Sequence, residues 1–153
     1  MAAEAVPAAT TSVYARSTMA TSDRKYVDDV PDDVEERLRA ICLALPDAYE
    51  EKAWAGVRWK VRTKTFAHVL GIEPGGGLRE VVVVFRADGD ELEMLRHAGP
   101  PFRVLGWGRD ALGLTIDDET DWDEVAELVT ESFCVMAPKK LARLVDRPPD
   151  PDP

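Results

Sequence analysis

The chain contains no asparagine and no glutamine among its 153 residues, and only two cysteines and two histidines. Without amide side chains it lacks the groups that pair bidentately with adenine. Direct base reading would therefore fall to Arg, Lys, Ser or Thr. Cys42 and Cys134 each lie within an apolar helical pattern and read as buried free thiols of a reducing cytoplasm. His68 and His97 have no Cys or His partner at ligand spacing, so no metal site is expected. His68 falls in mid-strand and reads as a packed or solvated strand residue, and His97 ends a short helical pattern. No run of about 18 apolar residues occurs, so no helical membrane span is expected. The start lacks a cationic stretch followed by an apolar core, so no secretory leader is expected either.

Positive charge is also scarce. Against 29 acidic residues stand 19 Lys and Arg, a net charge of −10. Such a field repels polyanions and argues against strong nucleic-acid affinity. The acidity does not come from the ends, because residues 31–145 alone hold 22 acidic and 15 basic side chains, a net of −7.

Several catalytic and binding signatures are missing as well. Gly75, Gly76 and Gly77 form a turn, but no Lys-Ser/Thr pair and no helix follow it. Neither a phosphate loop nor a dinucleotide fingerprint is supported, and no cofactor is expected. Ser132 sits inside a helical pattern with no nucleophile elbow around it. Asp117, Glu119, Asp121 and Asp123 alternate as in a calcium loop. Yet the positions needing Gly and a bidentate Glu hold Trp122 and Leu128, so helix capping explains the run. Nothing resembles a triad or an acid/base dyad, and the expectation is a protein that is not an enzyme.

What is present reads as one domain of residues 31–145 between two tails, 1–30 and 146–153. Residues 1–30 are rich in Ala, Ser and Thr, and "DRPPDPDP" cannot continue a helix. The first helix opens at Pro31. Val34, Leu38, Ile41, Cys42 and Leu45 form its apolar stripe, and Pro46 ends it. "VRWKVR", "TFAHVLGI" and "LREVVVVF" read as three strands. Asp88, with Glu91 three residues on, caps a short helix that has Leu92 and Leu95 on its inner face. "FRVLGW" and "ALGLTI" read as two more strands. Trp122, Val125, Ala126, Val129, Phe133 and Met136 keep a helical spacing, and "KKLARLV" adds a short helical piece. Hairpin-length links imply an α+β fold: an antiparallel sheet of about five strands with helices on one face.

Within this outline "GVRWKVRTKTF" places Arg58, Lys60, Arg62 and Lys64 at alternate positions, with Trp59 and Val61 between them. The alternation puts the first three cations on one strand face and Lys64 at the turn. Such a face serves equally as the solvated side of a half-buried strand or as a contact for phosphates. Trp59 and Trp122 follow core periodicity. Trp107, between two glycines, reads first as a core residue. If it faces solvent beside Arg103 and Arg109, it would suit stacking or a partner contact.

"LALPDAYEEKAWAG", "VRWKVRTKTFAHV", the repeated Val strand, "GWGRDALGLTID" and "ELVTESFCVMAPKKLARL" together resemble the MmcQ/YjbR family. The elements that carry the likeness are Leu45-Pro46, Trp59 through Lys64-Thr65-Phe66-Ala67, and Ser132-Phe133 through Lys139-Lys140-Leu141, over roughly residues 32–145. The resemblance implies a frataxin-like (CyaY-like) fold, described as a double wing and proposed to bind DNA. The acidic first helix needs no iron site, because dipole compensation accounts for its charges. The expected function is thus a non-enzymatic cytoplasmic binding protein that touches DNA weakly and salt-sensitively through Arg58, Lys60, Arg62 and Lys64. The alternative is a module that binds a protein partner, a second copy of itself or a small ligand on its outer sheet face, with no nucleic-acid role and no membrane contact.

Overall fold

Acidic side chains crowd the start of the first helix because its free N–H groups carry the positive end of the helix dipole. The structure, a computed structural model, describes residues 25–73 and 79–145. In it this helix is α1 (Asp32–Leu43), with Asp32, Asp33 and Glu35 in its first turn. Val34, Leu38 and Cys42 are its buried stripe, and Ile41 and Leu45 pack at the edge of the same core. The last long helix, α3 (Trp122–Met136), is capped by Asp121, whose carboxylate accepts from the backbone N–H groups of Asp123 and Glu124. That is the capping role expected of the acidic run. Such a cap contributes about 1 kcal/mol. Each fully buried Val, Leu or Phe contributes about 1.5–3 kcal/mol, so packing of Val125, Val129 and Phe133 dominates.

Seven strands form one antiparallel sheet rather than about five. They are β1 (Lys25–Val27), β2 (Tyr49–Lys52), β3 (Val57–Val61), β4 (Lys64–Glu73), β5 (Glu80–Arg86), β6 (Phe102–Arg103) and β7 (Ala111–Ile116). Their order is β2-β3-β4-β5-β7-β6, with β1 paired to β4 off this path. The two added strands are short and owe their form to tertiary pairing. β2 lies along β3, and β1 pairs Tyr26 with Ile72, past the stretch of β4 that β3 occupies. The folded unit therefore reaches back to Lys25, and Val30 is buried in the core. Residues 1–24, the glycine turn Gly75–Gly77 and residues 146–153 lie outside the described residues.

The two remaining helices are α2 (Gly89–Arg96) and α4 (Lys139–Ala142). Asp88 occupies the N-cap of α2 without a side-chain cap bond. Leu95 of α2 and Leu141 of α4 join α1 and α3 over one face of the sheet, where they bury Trp59, Phe66, Phe85 and Leu112. Phe66 and Phe133 meet edge to face at 5.3 Å. The opposite, outer face carries a smaller core of Leu70, Ile72, Val82, Val84 and Ala111, covered by Ala55, Leu105, Tyr26 and Trp107. Burial on both faces explains why β4 and β5 read as continuous apolar runs.

Candidate binding site on the outer sheet face

A defect in the pairing of β3 with β4 opens the outer face. Arg58 pairs with His68 and Trp59 with Ala67, but Lys60 pairs with Thr65, so Phe66 has no partner. Phe66 is the extra residue of a β-bulge. Phe66 and Ala67 both point into the helix-side core. Between Thr65 and His68, β4 therefore offers the outer face no side chain.

Ser132 of α3 holds this defect in place. Its hydroxyl donates to the Phe66 carbonyl at 2.6 Å and accepts from the Arg86 N–H at 2.7 Å. The β4–β5 ladder runs out at Ala67 and Phe85, and the serine bridges the next two residues. Ser132 is fully buried, so its hydroxyl completes the sheet's hydrogen bonding instead of acting as a nucleophile.

Over the gap lies a cavity of about 440 Å³. Arg58 of β3 and Arg86 of β5 flank it, His68 and Val84 also line it, and Trp54 and Trp107 stand at the His68 end. His68 is 5% exposed. Its Nε2 lies 2.6 Å from the Ala55 carbonyl oxygen. A carbonyl oxygen only accepts, so Nε2 carries the proton. Nδ1 is left as an acceptor with no hydrogen-bond partner among the described residues. Burial pushes the His68 pKa below its ordinary value, against the Ala55 hydrogen bond, and the charges of Arg58 and Lys52 lower it further. The ring is neutral at pH 7.

Four rings close this end. Tyr26 meets Trp54 at 5.5 Å and Trp107 at 5.4 Å, both edge to face. The His68 ring lies 5.9 Å from Trp54 and 5.7 Å from Trp107. Trp107 is half-buried and donates its indole N–H to the Tyr26 hydroxyl at 3.4 Å, whereas Trp54 is 63% exposed. An exposed Trp beside a cavity is the usual mark of a contact surface. In the sequence its only signal was negative, because "KAWAG" sits in no periodic segment. Tyr26 was hidden in the presumed tail.

The model of the YjbR family matches residues 43–135, from the end of α1 through nearly all of α3. The chain belongs to the YjbR family. No curated protein matches it. The matched span of this YjbR protein includes Trp54, the bulge, Trp107 and Ser132. It leaves out Tyr26 and the Lys139-Lys140-Leu141 end.

Of the four expected basic residues only Arg58 lines the cavity. It donates to Glu51 at 2.6 Å, and Lys60 lies 3.5 Å from the same carboxylate. The Arg58 guanidinium, with Lys60 beside it, holds the Glu51 carboxyl below its ordinary range. Arg62 has left the strand for the hairpin turn, at φ 56°, where it lies 3.3 Å from Asp47. Lys64 opens β4 and is exposed. Strand β2, with Glu51, supplies much of the neutralising charge.

Of the other three expected residues only Trp107 lines this cavity. Arg103 faces a separate cavity of about 640 Å³ and pairs with Glu80 at 2.6 Å. Arg109 is exposed on the turn before β7 and lines neither. Among the described residues no group of three or more His, Cys, Asp or Glu is placed to hold a metal ion. No helix among them is long and apolar enough to cross a membrane.

Proposed function

We propose that this YjbR protein is a non-enzymatic binding module that holds a small ligand on its outer sheet face. The observation that carries the reading is the bulge cavity with an exposed Trp54 at its end. Its volume falls in the range of small-ligand sites, about 300–1,000 Å³. The Cys42 thiol, buried in the helix-side core, supports a cytoplasmic, reducing setting. A thermal-shift screen of metabolites tests the reading. A true ligand at 100 times its Kd is expected to stabilise by about 2.7 kcal/mol, roughly 10 °C in Tm. Trp54→Ala is expected to abolish most of that shift. A wild type that no ligand stabilises would overturn the reading, as would an equal response from the variant.

The basic hairpin supports a second reading, weak nucleic-acid contact. Arg58 and Lys60 face Glu51 and Arg62 faces Asp47, so with Lys64 four positive and two negative charges leave a surplus of two. Two phosphate contacts give a salt slope of about −1.8, a roughly twelvefold loss of affinity between 50 and 200 mM salt. Fluorescence anisotropy with short duplex and single-stranded DNA reads this directly. The variant combining Arg58→Glu, Lys60→Glu and Arg62→Glu is expected to lose the binding. No wild-type signal at about 50 mM salt sinks the idea.

A further inference from the structure

We infer that the ligand of the bulge cavity is a planar heteroaromatic anion that presents an N–H donor to His68 Nδ1. The inference rests on the small-ligand reading above and specifies the ligand's chemistry. Three features of the cavity converge on it.

Charge comes first. Arg58 and Arg86 line the cavity, paired with Glu51 and Asp110, and Lys60, two residues along β3, reaches the same Glu51 carboxylate as Arg58. Three cations against two anions leave one positive charge uncompensated, on a protein whose net charge is −10. The Arg58 and Arg86 side chains are only 32% and 25% exposed, so an anion between them meets less solvent screening than at an open surface. Cationic ligands are repelled at the same place. The planar guanidinium fork suits a carboxylate or a phosphate oxygen pair.

Shape comes second. The cavity ends on Trp54 and Trp107, whose rings contact Tyr26 and each other in edge-on or tilted arrangements, not as a flat stack. Trp54 keeps most of its surface open. A flat aromatic ring gains most from such a wall, by stacking on it or meeting its edge.

Donor complementarity comes third. His68 is buried, its Nε2–H is committed to Ala55, and its Nδ1 lone pair has no partner among the described residues. A buried acceptor left unpaired is costly, so a ligand that brings a donor to it is selected over one that does not. A ligand atom with only lone pairs would be repelled there. Together the three demand an anionic group near the arginines, a ring near the tryptophans and an N–H on the ring's edge.

Two sources of this chemistry are separable by experiment: free pyrimidine nucleotides and aromatic carboxylates. Calorimetric titrations would use uridine monophosphate and indole-3-carboxylate. Each would be paired with its ring-N-methylated counterpart and with neutral uridine or indole. Trp54 and Trp107 indole N–H resonances would be followed by NMR. The expected result is that at least one anion binds and shifts both resonances. Its N-methylated form should bind roughly tenfold more weakly, and so should the neutral form. Arg58→Gln combined with Arg86→Gln should cost the anion tenfold or more and leave the neutral ring's affinity unchanged. The methylated probes use the wild-type protein, so this arm does not depend on how well a variant folds. Equal binding of methylated and unmethylated anions, or tighter binding of neutral or cationic rings, overturns the inference. If no planar anion binds but another compound shifts the Trp54 resonance, the ligand class is wrong and the site stands. If no compound moves Trp54, both fall.

Discussion

Trp59→Ala is expected to lower the unfolding free energy by about 3–5 kcal/mol, the cost of emptying a large aromatic site. Trp59 is the largest side chain with no exposed surface, and it sits where β3 meets the helices. Its deletion removes more than contacts. The indole N–H donates to Glu50 at 3.1 Å, and the same carboxylate accepts from Arg39 of α1 at 2.8 Å. Arg39 in turn reaches Glu35 one helical turn back. The Arg39 guanidinium holds the Glu50 carboxyl below its ordinary range, against the pull of partial burial, and the Trp59 N–H helps. The indole is thus the point where β3, β2 and α1 are tied together. Trp59→Phe keeps most of the volume and loses the hydrogen bond, so it should cost about 1–3 kcal/mol. Urea unfolding followed by circular dichroism measures both. A Trp59→Ala protein within 1 kcal/mol of wild type would mean that the core collapses around the site or that the indole is not buried in solution.

Gly56→Ala is expected to cost about 2–4 kcal/mol, taking roughly 1 kcal/mol for the unfavourable φ and about 1–3 for overpacking. Gly56 lies at φ +74°, and a Cβ there would stand 1.8 Å from the carbonyl oxygen of Val69. The obstacle is backbone in a central strand, so no rotamer change relieves it. Gly56 also receives hydrogen bonds on its carbonyl from Ala53 and Lys52, and gives its own N–H to Asp28 at 2.8 Å. Moving it displaces Ala55, whose carbonyl orients His68, and Trp54 next to it. The substitution should therefore weaken ligand binding at temperatures where the fold survives. An unchanged denaturation midpoint would show that this turn is looser than its geometry implies.

Periodicity made the stripes of α1 and α3, the hydrophobic strands and the core role of Trp59 legible, because each is written in neighbouring residues. β2 was not legible. "YEEK" has no apolar alternation, and its form depends on β3 lying beside it. The omission mattered for function, since β2 carries the Glu51 that neutralises Arg58 and Lys60. "FRVLGW" reads as a strand of useful length, yet only Phe102 and Arg103 pair. Leu105 and Trp107 instead fold back over the outer face, with Leu105 and Arg103 both close to Gly113. The bulge was invisible because "TFAHVL" is apolar in both phases. Only the partner strand reveals that Phe66 is one residue too many. His68 was read as a packed or solvated strand residue and is packed, but the partner that fixes its tautomer is the carbonyl of Ala55, thirteen residues away.

The hollow above Phe66 and Ala67 is an error of phase, and phase is a property of residue count. Changing its lining side chains one by one would alter its chemistry while leaving the hollow itself in place. Removing one residue between Thr65 and His68 would restore strict alternation and bring the outward side chains of β4 back into step. A one-residue change of length at this point would open or close the hollow while Arg58, His68, Arg86 and both tryptophans stayed unchanged. Within the family, a chain one residue shorter there would share the sheet, the helices and the serine, and would lack the hollow.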